Sequence, residues 1–397
     1  MRRIISFILI FIILFTLVGC KNPFGSRIEI NDMLFIEVMG IDKSSTNPDN
    51  VKITVAAKGK KGQGGGDEQG GPNQGTAAIL VSEGRTIFEA LRKLNSFADK
   101  TPFYSHTSNI LIDEEIAKND ILKYMDFLSR DHEMRLNSNI FIVKGCTAEK
   151  FIRTGTTSQA FIGDRLKALL KNNDNLSVSA KVELIDLMKM FDDTKVSSYI
   201  PCVQLIENRD KTTGQRDIEL SGLAIFKGTT LAGFLDSNTT RGLNWATNRV
   251  FSCPIIVYDR EKNRVALDII EAKGKIIPKI LDDQISILIR IAMSSNISEY
   301  QGHANIFKME YIDYLNEQQE KIIEREVLSA LAFAKEHNAD IFQFSNAIYN
   351  KYPIQWDSIK DGWFDTFPDI DVAVHVEGKI NRTYDIRQST RSMGDDQ

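Results

Sequence analysis

The cysteine at position 20 has the sequence setting that most clearly predicts a chemical reaction at a single residue. It ends the segment Leu17-Val18-Gly19-Cys20, at the end of an almost entirely apolar run from 4 to 18. Arg2 and Arg3 give that run a positive start. The run is short for a transmembrane helix, which needs about 20 residues to cross the hydrocarbon core. A basic start, a short apolar run and a small residue at its end predict a signal peptide over 1–19.

Leu-Val-Gly-Cys resembles a bacterial lipobox. The resemblance implies that the Cys20 thiol receives a diacylglyceryl group and that the signal is cut between Gly19 and Cys20; further acylation of the Cys20 amine stays open. One acyl chain holds a protein at a membrane only marginally, whereas two hold it stably. The rest of the chain is therefore predicted to be tethered at the outer face of a membrane. An uncleaved N-terminal anchor is the alternative, and it would place the chain there as well.

The other cysteines are Cys146, Cys202 and Cys253. They are widely spaced and odd in number, with no Cys-x-x-Cys pair, so the sequence supports neither a disulfide framework nor a zinc site. We interpret them as small buried apolar residues. A single disulfide among the three remains open at the level of sequence.

Asp131-His132-Glu133 is the other segment whose side chains could do acid–base or metal chemistry. Neighbouring residues on a helix point to different faces, so we predict a solvated helix end here. Glu324 and Glu326 flank Arg325 and are likewise assigned to the solvated face of a long helix. No Gly-x-Ser-x-Gly or His-Glu-x-x-His motif occurs. We therefore predict no catalytic, cofactor-binding or metal site, and a chain that is not an enzyme.

The tryptophans Trp245, Trp356 and Trp363 admit two interpretations. Aromatic side chains carry much of the binding energy at protein interfaces, so they could be contact anchors. We favour packing in the core or at a domain junction. Trp356 and Trp363 are seven positions apart, a spacing that suits one buried helix face.

Composition excludes some classes of partner. The chain has 397 residues and a formal net charge of −4. Acidic and basic residues are interspersed, without the basic block typical of nucleic-acid binders, so no nucleic acid partner is expected. A hydrophobic content of 42% is ordinary for a chain that buries a core. No second apolar run approaches membrane-spanning length.

Strand and helix patterns alternate from 20 to 206, which predicts an N-terminal α/β domain. The pattern at Thr86 and Glu89 is that of a capping box, with Thr86 as the N-cap of a helix. An amphipathic helix is predicted over 113–128. The other predicted strands are 33–43, 51–55, 77–81, 103–112 and 139–143. The other predicted helices are 161–170 and 181–191, which precede the segment 198–206.

A second α/β domain is predicted over 218–390. A long charged helix over 308–338 and a helix over 340–352 are expected, the latter ending near Pro353 because proline disfavours helical geometry in the preceding residue. Predicted strands lie at 218–226, 231–235, 251–258, 264–272, 284–291 and 371–380. The fold class is thus α/β (α+β) and multi-domain, with mixed sheets, flanking helices and a long helix in the C-terminal domain.

Three polar segments separate or end these regions. Residues 58–75 are rich in glycine but lack the features of a phosphate-binding loop, so we predict a flexible surface loop. Residues 207–217 are uniformly polar and are the predicted linker. Residues 391–397 form a polar tail.

A series of motifs resembles the Ger(x)C lipoproteins, the C subunits of nutrient germinant receptors in endospore-forming bacteria. The motifs occur in the family's order along nearly the whole chain. The chain departs from the family just after Cys20, where Lys21-Asn22 stand in place of the usual Trp-Asp. The stretches that carry the resemblance are Glu29-Ile30-Asn31-Asp32, Gly40-Ile41-Asp42-Lys43, 82–91, 127–137, 220–228, 239–243, Ala339-Asp340-Ile341-Phe342, 349–353, Trp356 and Phe367-Pro368-Asp369.

The resemblance implies a lipid-anchored, non-catalytic receptor subunit on the outer face of the spore inner membrane, required for germination. Its implied partners are an A subunit, a polytopic B subunit and the lipid membrane; no cofactor is implied beyond the covalent lipid on Cys20. The alternative is a lipid-anchored solute-binding protein that delivers a nutrient to a membrane partner. A tethered cell-envelope hydrolase is a third hypothesis, which the missing motifs disfavour.

Overall fold

The computed structural model describes residues 28–59, 77–157, 160–207, 216–282, 284–303 and 308–383. Helices flank two mixed sheets in these ranges, which confirms the predicted class. The predicted signal peptide, most of the glycine-rich loop, most of the linker and the polar tail lie outside the described residues. No helix in the described ranges is both long and apolar enough to cross a membrane.

The first sheet has the order β3-β2-β1-β5-β6-β7-β8-β9, and β4 pairs with the start of β1. Its central pairs, from β1 to β7 through β5 and β6, are parallel, and antiparallel strands extend it on both sides. Parallel strands need cover on both faces, which explains their continuous apolar sequences. The strands are β1 Met33–Lys43, β2 Val51–Ala57, β3 Ala78–Gly84, β4 Thr101–Phe103, β5 Asn109–Asp113, β6 Asn139–Lys144, β7 Tyr199–Glu207, β8 Arg216–Lys227 and β9 Thr230–Leu235.

Helices cover this sheet on both faces. Phe151, Ile152 and Leu166 of α4 and α5 pack in one apolar cluster, whereas α1, α3 and α6 contribute to another that continues to the second sheet. The helices are α1 Ile87–Leu94, α2 Glu114–Ala117, α3 Leu122–Arg130, α4 Ala148–Gly155, α5 Ile162–Asn172 and α6 Leu184–Asp192.

The predicted helix over 113–128 is wrong in its continuity. Asp113 ends β5 and accepts a hydrogen bond from the Glu115 N–H, which starts α2. Asp120 accepts from the Leu122 N–H and starts α3 as a separate helix. Aspartate side chains compete for backbone N–H groups in this way and break a helix that the apolar period alone would continue.

The capping box at α1 forms with a shift of one residue. The Thr86 hydroxyl accepts from the Glu89 N–H at 3.1 Å, as predicted. The Glu89 carboxylate accepts from the N–H of Arg85, one position before the expected partner, at 2.9 Å.

The second sheet has the order β10-β11-β12-β13. Strands β12 and β13 are parallel, and the other pairs are antiparallel. Its strands are β10 Pro254–Tyr258, β11 Arg264–Leu281, β12 Gln284–Tyr300 and β13 Asp371–Thr383, and the helices that follow β9 are α7 Ser237–Ala246, α8 Met309–Glu336, α9 Phe344–Lys351, α10 Pro353–Ile359 and α11 Trp363–Thr366.

Strands β11 and β12 are about twice as long as predicted. The expected alternation in β12 is confirmed, since Ile287, Ile289 and Ile291 are all buried. The second half of β11 was not predicted because it contains Gly274 and Pro278, two residue types that are unfavourable within a strand. Gly274 serves a close approach instead, since a Cβ there would lie 2.0 Å from the Trp245 carbonyl oxygen of α7.

The helix predicted over 340–352 begins four residues late, at Phe344. It does end before Pro353, as predicted, but Pro353 then occupies the first turn of α10. Proline is favoured there, because its missing N–H would have no partner within the helix.

Strands β8 and β9 follow the predicted linker, yet they pair with β7 and complete the first sheet. Whether residues 20–206 and 218–390 are separate domains stays a prediction. The change from the first sheet to the second occurs after β9, where α7 begins.

Candidate functional site

The predicted lipidation site lies outside the described part of the chain. Gly19 and Cys20 precede Ile28, the first described residue, so cleavage and modification there stay predictions. Ile28 shows where a tether from Cys20 would join the folded part. It lines a groove formed by α1, β4 and the turn that follows α3.

This groove has a volume of about 200 Å³. That volume is less than the roughly 300–1,000 Å³ typical of small-molecule sites. The groove is lined by both apolar and charged side chains. The lining residues are Ile28, Phe88, Leu91, Arg92, Asn95, Thr101, Pro102, Tyr104, Phe127, Asp131, Glu133 and Met134.

Aromatic side chains form one wall of the groove. The Phe88 and Phe127 ring centroids are 6.3 Å apart, and the Arg92 guanidinium lies 5.0 Å from the Phe88 centroid. Such a cation–aromatic contact is stabilising. The Tyr104 hydroxyl donates to the Leu91 carbonyl oxygen at 3.3 Å, and burial raises the Tyr104 pKa. Tyr104 is therefore a neutral hydrogen-bond donor at neutral pH.

Carboxylates also line the groove, in the turn that follows Arg130 at the end of α3. Asp131 accepts a hydrogen bond from the Glu133 N–H at 2.8 Å, and both residues line the groove. His132 between them is exposed, as expected for a solvated helix end. Nowhere in the described ranges do three His, Cys, Asp or Glu side chains group closely enough to hold a metal ion.

Asp42, in the Gly-Ile-Asp-Lys motif, is a buried helix cap. Its carboxylate accepts from the N–H groups of Ala148 and Glu149 at 2.6 and 2.9 Å, the first two residues of α4. Thr147 accepts from the Lys150 N–H and satisfies a third free donor. Burial raises the pKa of the Asp42 carboxyl to about 6, although these hydrogen bonds oppose the shift.

Asp340, in the Ala-Asp-Ile-Phe motif, does the same for α9. Its carboxylate accepts from the N–H groups of Phe344 and Ser345, both at 2.9 Å. Gln343 at the N-cap is left-handed, with φ 58°, and its side chain makes no cap hydrogen bond. Burial raises the pKa of Asp340 to about 6. Two of the motifs thus supply a buried carboxyl group that caps the start of a helix. The helix that Asp42 caps lies far along the chain, whereas the helix that Asp340 caps begins one turn later.

The segment 239–243 lies in α7 and packs against α8. The Arg241 guanidinium forms an ion pair with Glu326, and the Trp245 indole N–H donates to the same carboxylate at 2.9 Å. Gly242 permits this contact, because a Cβ there would lie 2.0 Å from the Glu326 carbonyl oxygen. We call Arg241, Gly242, Trp245 and Glu326 the α7–α8 junction.

The assignment of Glu326 to a solvated face is therefore wrong. Glu324 and Arg325 are exposed as predicted, but Glu326 is buried beneath α7. The helical period places position 326 beside the buried Ile323, Val327 and Ala330. The sequence signal that could have identified this contact is a charged residue, Glu326, on the apolar face of a helix, since such a residue requires a partner on the element that packs against that face.

The cysteines and tryptophans are mostly core residues. Cys146, Cys202 and Cys253 are all unbonded, with Cys146 only half-buried. Burial raises the pKa of the Cys253 thiol to about 12, so it stays protonated at neutral pH. The three tryptophans are buried, which confirms the packing interpretation for Trp245, Trp356 and Trp363.

Two family models match this chain. The model of the spore germination protein N-terminal domain matches residues 26–205, and that of the spore germination B3/GerAC-like C-terminal region matches 221–384. Together they cover most of the chain. The chain belongs to the GerAC-like family of spore germination proteins. The resemblance identified from the motifs is confirmed.

Relatives in Bacillus subtilis (strain 168) extend over nearly the full length of this GerAC-like chain. It is 24% identical to spore germination protein KC, with 96% of both chains covered. It is 22% identical to the putative spore germination protein YfkR, over 94% of this chain and 95% of the relative. The crystal structure of the GerBC protein matches with a TM-score of 0.57 at 20% identity, over 86% of this chain and 96% of that one. This likeness shows that the GerAC-like chain shares its fold with GerBC.

Proposed function

We propose that this GerAC-like chain is a lipid-anchored, non-catalytic subunit of a spore nutrient-germinant receptor. Family membership over both halves of the chain is the observation that carries the proposal. Its partners are an A subunit and a membrane-embedded B subunit. Its location is the outer face of the spore inner membrane.

The anchor supports assembly by confinement. Two acyl chains on Cys20 hold the chain stably at the bilayer, since each buried CH₂ contributes about 0.8 kcal/mol. Confinement to a plane raises the effective concentration of the chain near membrane-embedded partners, so contacts of modest affinity suffice.

A non-catalytic role is supported by what the buried acids do. Asp42 and Asp340 each accept two backbone N–H groups at a helix start, which is a structural task. Glu326 is held by Arg241 and Trp245. Each of these carboxylates is committed to a contact within the fold, so none is poised to act on a substrate.

The test is a pull-down of the tagged protein from dormant-spore membranes in mild detergent, with mass spectrometry of the retained proteins. We expect A- and B-type receptor subunits with the natural chain and their loss with Cys20→Ala. Cys146→Ala is the matched control and should retain them, because this half-buried thiol has no bonded partner. A Cys20→Ala protein that still sediments with membranes and supports germination would refute the anchor.

A different result would favour the solute-binding alternative. In that case the protein would be recovered without receptor subunits, and a nutrient would raise its melting temperature, since ligands that bind the folded state stabilise it. Arg92→Ala in the groove should then abolish the shift.

A further inference from the structure

Four large apolar side chains are exposed near the point where the chain enters the fold. Ile28 is 42% exposed, Ile30 69%, Phe88 48% and Phe97 52%. A single exposed apolar residue is normal on a protein surface and needs no explanation. Several together at one end of a molecule mark an interaction surface.

Two of these side chains line the groove, and the other two are each two residues along the chain from a residue that lines it. Ile28 and Phe88 both line it, and so does Asn95, two residues before Phe97. Ile30 lies just before β1, where Met33 pairs with Thr101 of the groove wall. We call Ile28, Ile30, Phe88 and Phe97 the apolar rim.

The length of the tether limits what can cover the apolar rim. Eight Cα-to-Cα steps separate Cys20 from Ile28. A fully extended chain spans at most ~3.6 Å per residue, so a lipidated Cys20 keeps Ile28 within about 29 Å of the bilayer surface. The apolar rim is therefore the part of the described fold that the anchor holds nearest to lipid.

Positively and negatively charged side chains both occur around the apolar rim, and neither sign predominates. Glu89 forms ion pairs with both Arg85 and Lys93, at 3.1 and 3.2 Å. Arg92, Asp131 and Glu133 all line the groove, so its lining carries charges of both signs. Attraction to anionic headgroups is thus weak here, and contact must come from the apolar side chains, which partition into the boundary between headgroups and acyl chains.

We propose that the apolar rim docks on the bilayer and inserts Ile30, Phe88 and Phe97 at this boundary, so that the chain is held in one orientation on the membrane. The inference rests on the proposed lipid anchor. Such docking fixes the orientation of the chain relative to the bilayer, so that the opposite side of the fold is presented to partners.

The experiment uses the lipidated full-length chain in vesicles of phosphatidylcholine and phosphatidylglycerol whose acyl chains carry bromine, a quencher of indole fluorescence. Phe97→Trp introduces an exposed indole at the rim, and the three natural tryptophans are buried. We expect a blue shift and quenching of the added emission on vesicle binding. Ile30→Trp is the second rim probe and should behave in the same way.

Ile354→Trp is the matched control, because Ile354 is 83% exposed and lies on α10, which packs against α9. Its added emission should be neither shifted nor quenched. High salt should leave the rim signals unchanged, since the contact is apolar.

Flotation of the same vesicles separates the two proposals. A chain that does not float has no working anchor, and the proposed function fails. A chain that floats while its rim probes stay unquenched overturns the docking. A blue shift without vesicles also overturns it, because residues 20–27 or another protein surface would then cover the rim.

Discussion

The α7–α8 junction and the groove beside α1 are built from the same kinds of side chain. At the junction Arg241, Trp245 and Glu326 meet with little exposure, and every charge has a buried partner. At the groove Arg92 lies over Phe88, Glu133 is another lining residue, and the ring is half-exposed. Where an arginine, an aromatic ring and a carboxylate are buried together, they stabilise the fold. Where the same types of side chain are exposed to solvent, they form a surface that can contact other molecules. Substitutions in the two places should therefore differ in what they damage.

The largest effect is expected for Gly242→Ala at the α7–α8 junction. The added Cβ would lie 2.0 Å from the Glu326 carbonyl oxygen, so the two helices must separate and the ion pair must stretch. We expect a loss of about 3–5 kcal/mol in the free energy of unfolding, measured by urea denaturation. Gly362→Ala is the control, since no atom lies within 4 Å of the Cβ it adds. Equal stability of both variants would show that the junction is not tightly packed.

Glu326→Ala should cost almost as much, about 3–5 kcal/mol, because Arg241 would remain buried without its partner. Glu324→Ala on the exposed face of the same helix should change the free energy of unfolding by less than about 0.5 kcal/mol. Replacing both members of the pair, with Arg241→Met and Glu326→Leu, should recover part of the loss. If the double variant were no better than Glu326→Ala, the cost would come from packing and not from the unpaired charge.

The pH dependence of stability should report on Asp42. Its pKa is raised to about 6 in the folded chain, from an ordinary value of 3.8. The folded state holds this proton more tightly than the unfolded state, so the carboxyl stabilises the fold below about pH 4 and loses that contribution as the pH rises through about 6. Relative to Asp42→Asn, the natural chain should lose about 2–3 kcal/mol between these pH values.

Denaturation of both proteins at several pH values would measure this difference. Asp49→Asn, at an exposed turn, should follow the natural chain throughout. A natural chain that gains stability between pH 4 and 6, relative to Asp42→Asn, would reverse the sign and contradict the burial of this carboxyl.

The smallest effect on stability is expected at the groove. Phe88→Ala removes a half-exposed ring and should lower the free energy of unfolding by about 1 kcal/mol or less, whereas the buried Leu91→Ala on the same helix should lower it by about 2–5 kcal/mol. Thermal unfolding of the two variants provides the measurement. A large loss for Phe88→Ala would mean that the groove is part of the core and would remove the contrast with the junction.

Local patterns predicted most elements of the fold because the information was local. The alternating isoleucines of β12 and the apolar stripe of α8 identify themselves within a few residues. The full length of β11 was not predicted because of Gly274. This glycine allows the Trp245 carbonyl group of another element to approach the strand closely. A short-range sequence pattern cannot show that a strand position must be glycine because another element packs against it.

The sites were harder to predict because their parts are far apart in sequence. Glu326 finds Arg241 across 85 positions, and Asp42 caps a helix 106 positions later. The groove joins a helix, a short strand and a turn from three separate segments. Motif order identified the family, but the role of each motif residue depends on partners that only the folded chain brings together.

The parallel pairing of β12 with β13 has a consequence for the order in which the chain can fold. Strand β13 begins at Asp371, after α8 to α11, and it pairs with β12 from Ser286 to Ile297. Contacts between such distant positions form late, because the intervening chain must first be closed into a loop. Until the last strand emerges from the ribosome, β12 is a 17-residue open edge of the kind that promotes aggregation. A nascent chain of this protein therefore stays in need of protection until its final few dozen residues have been delivered.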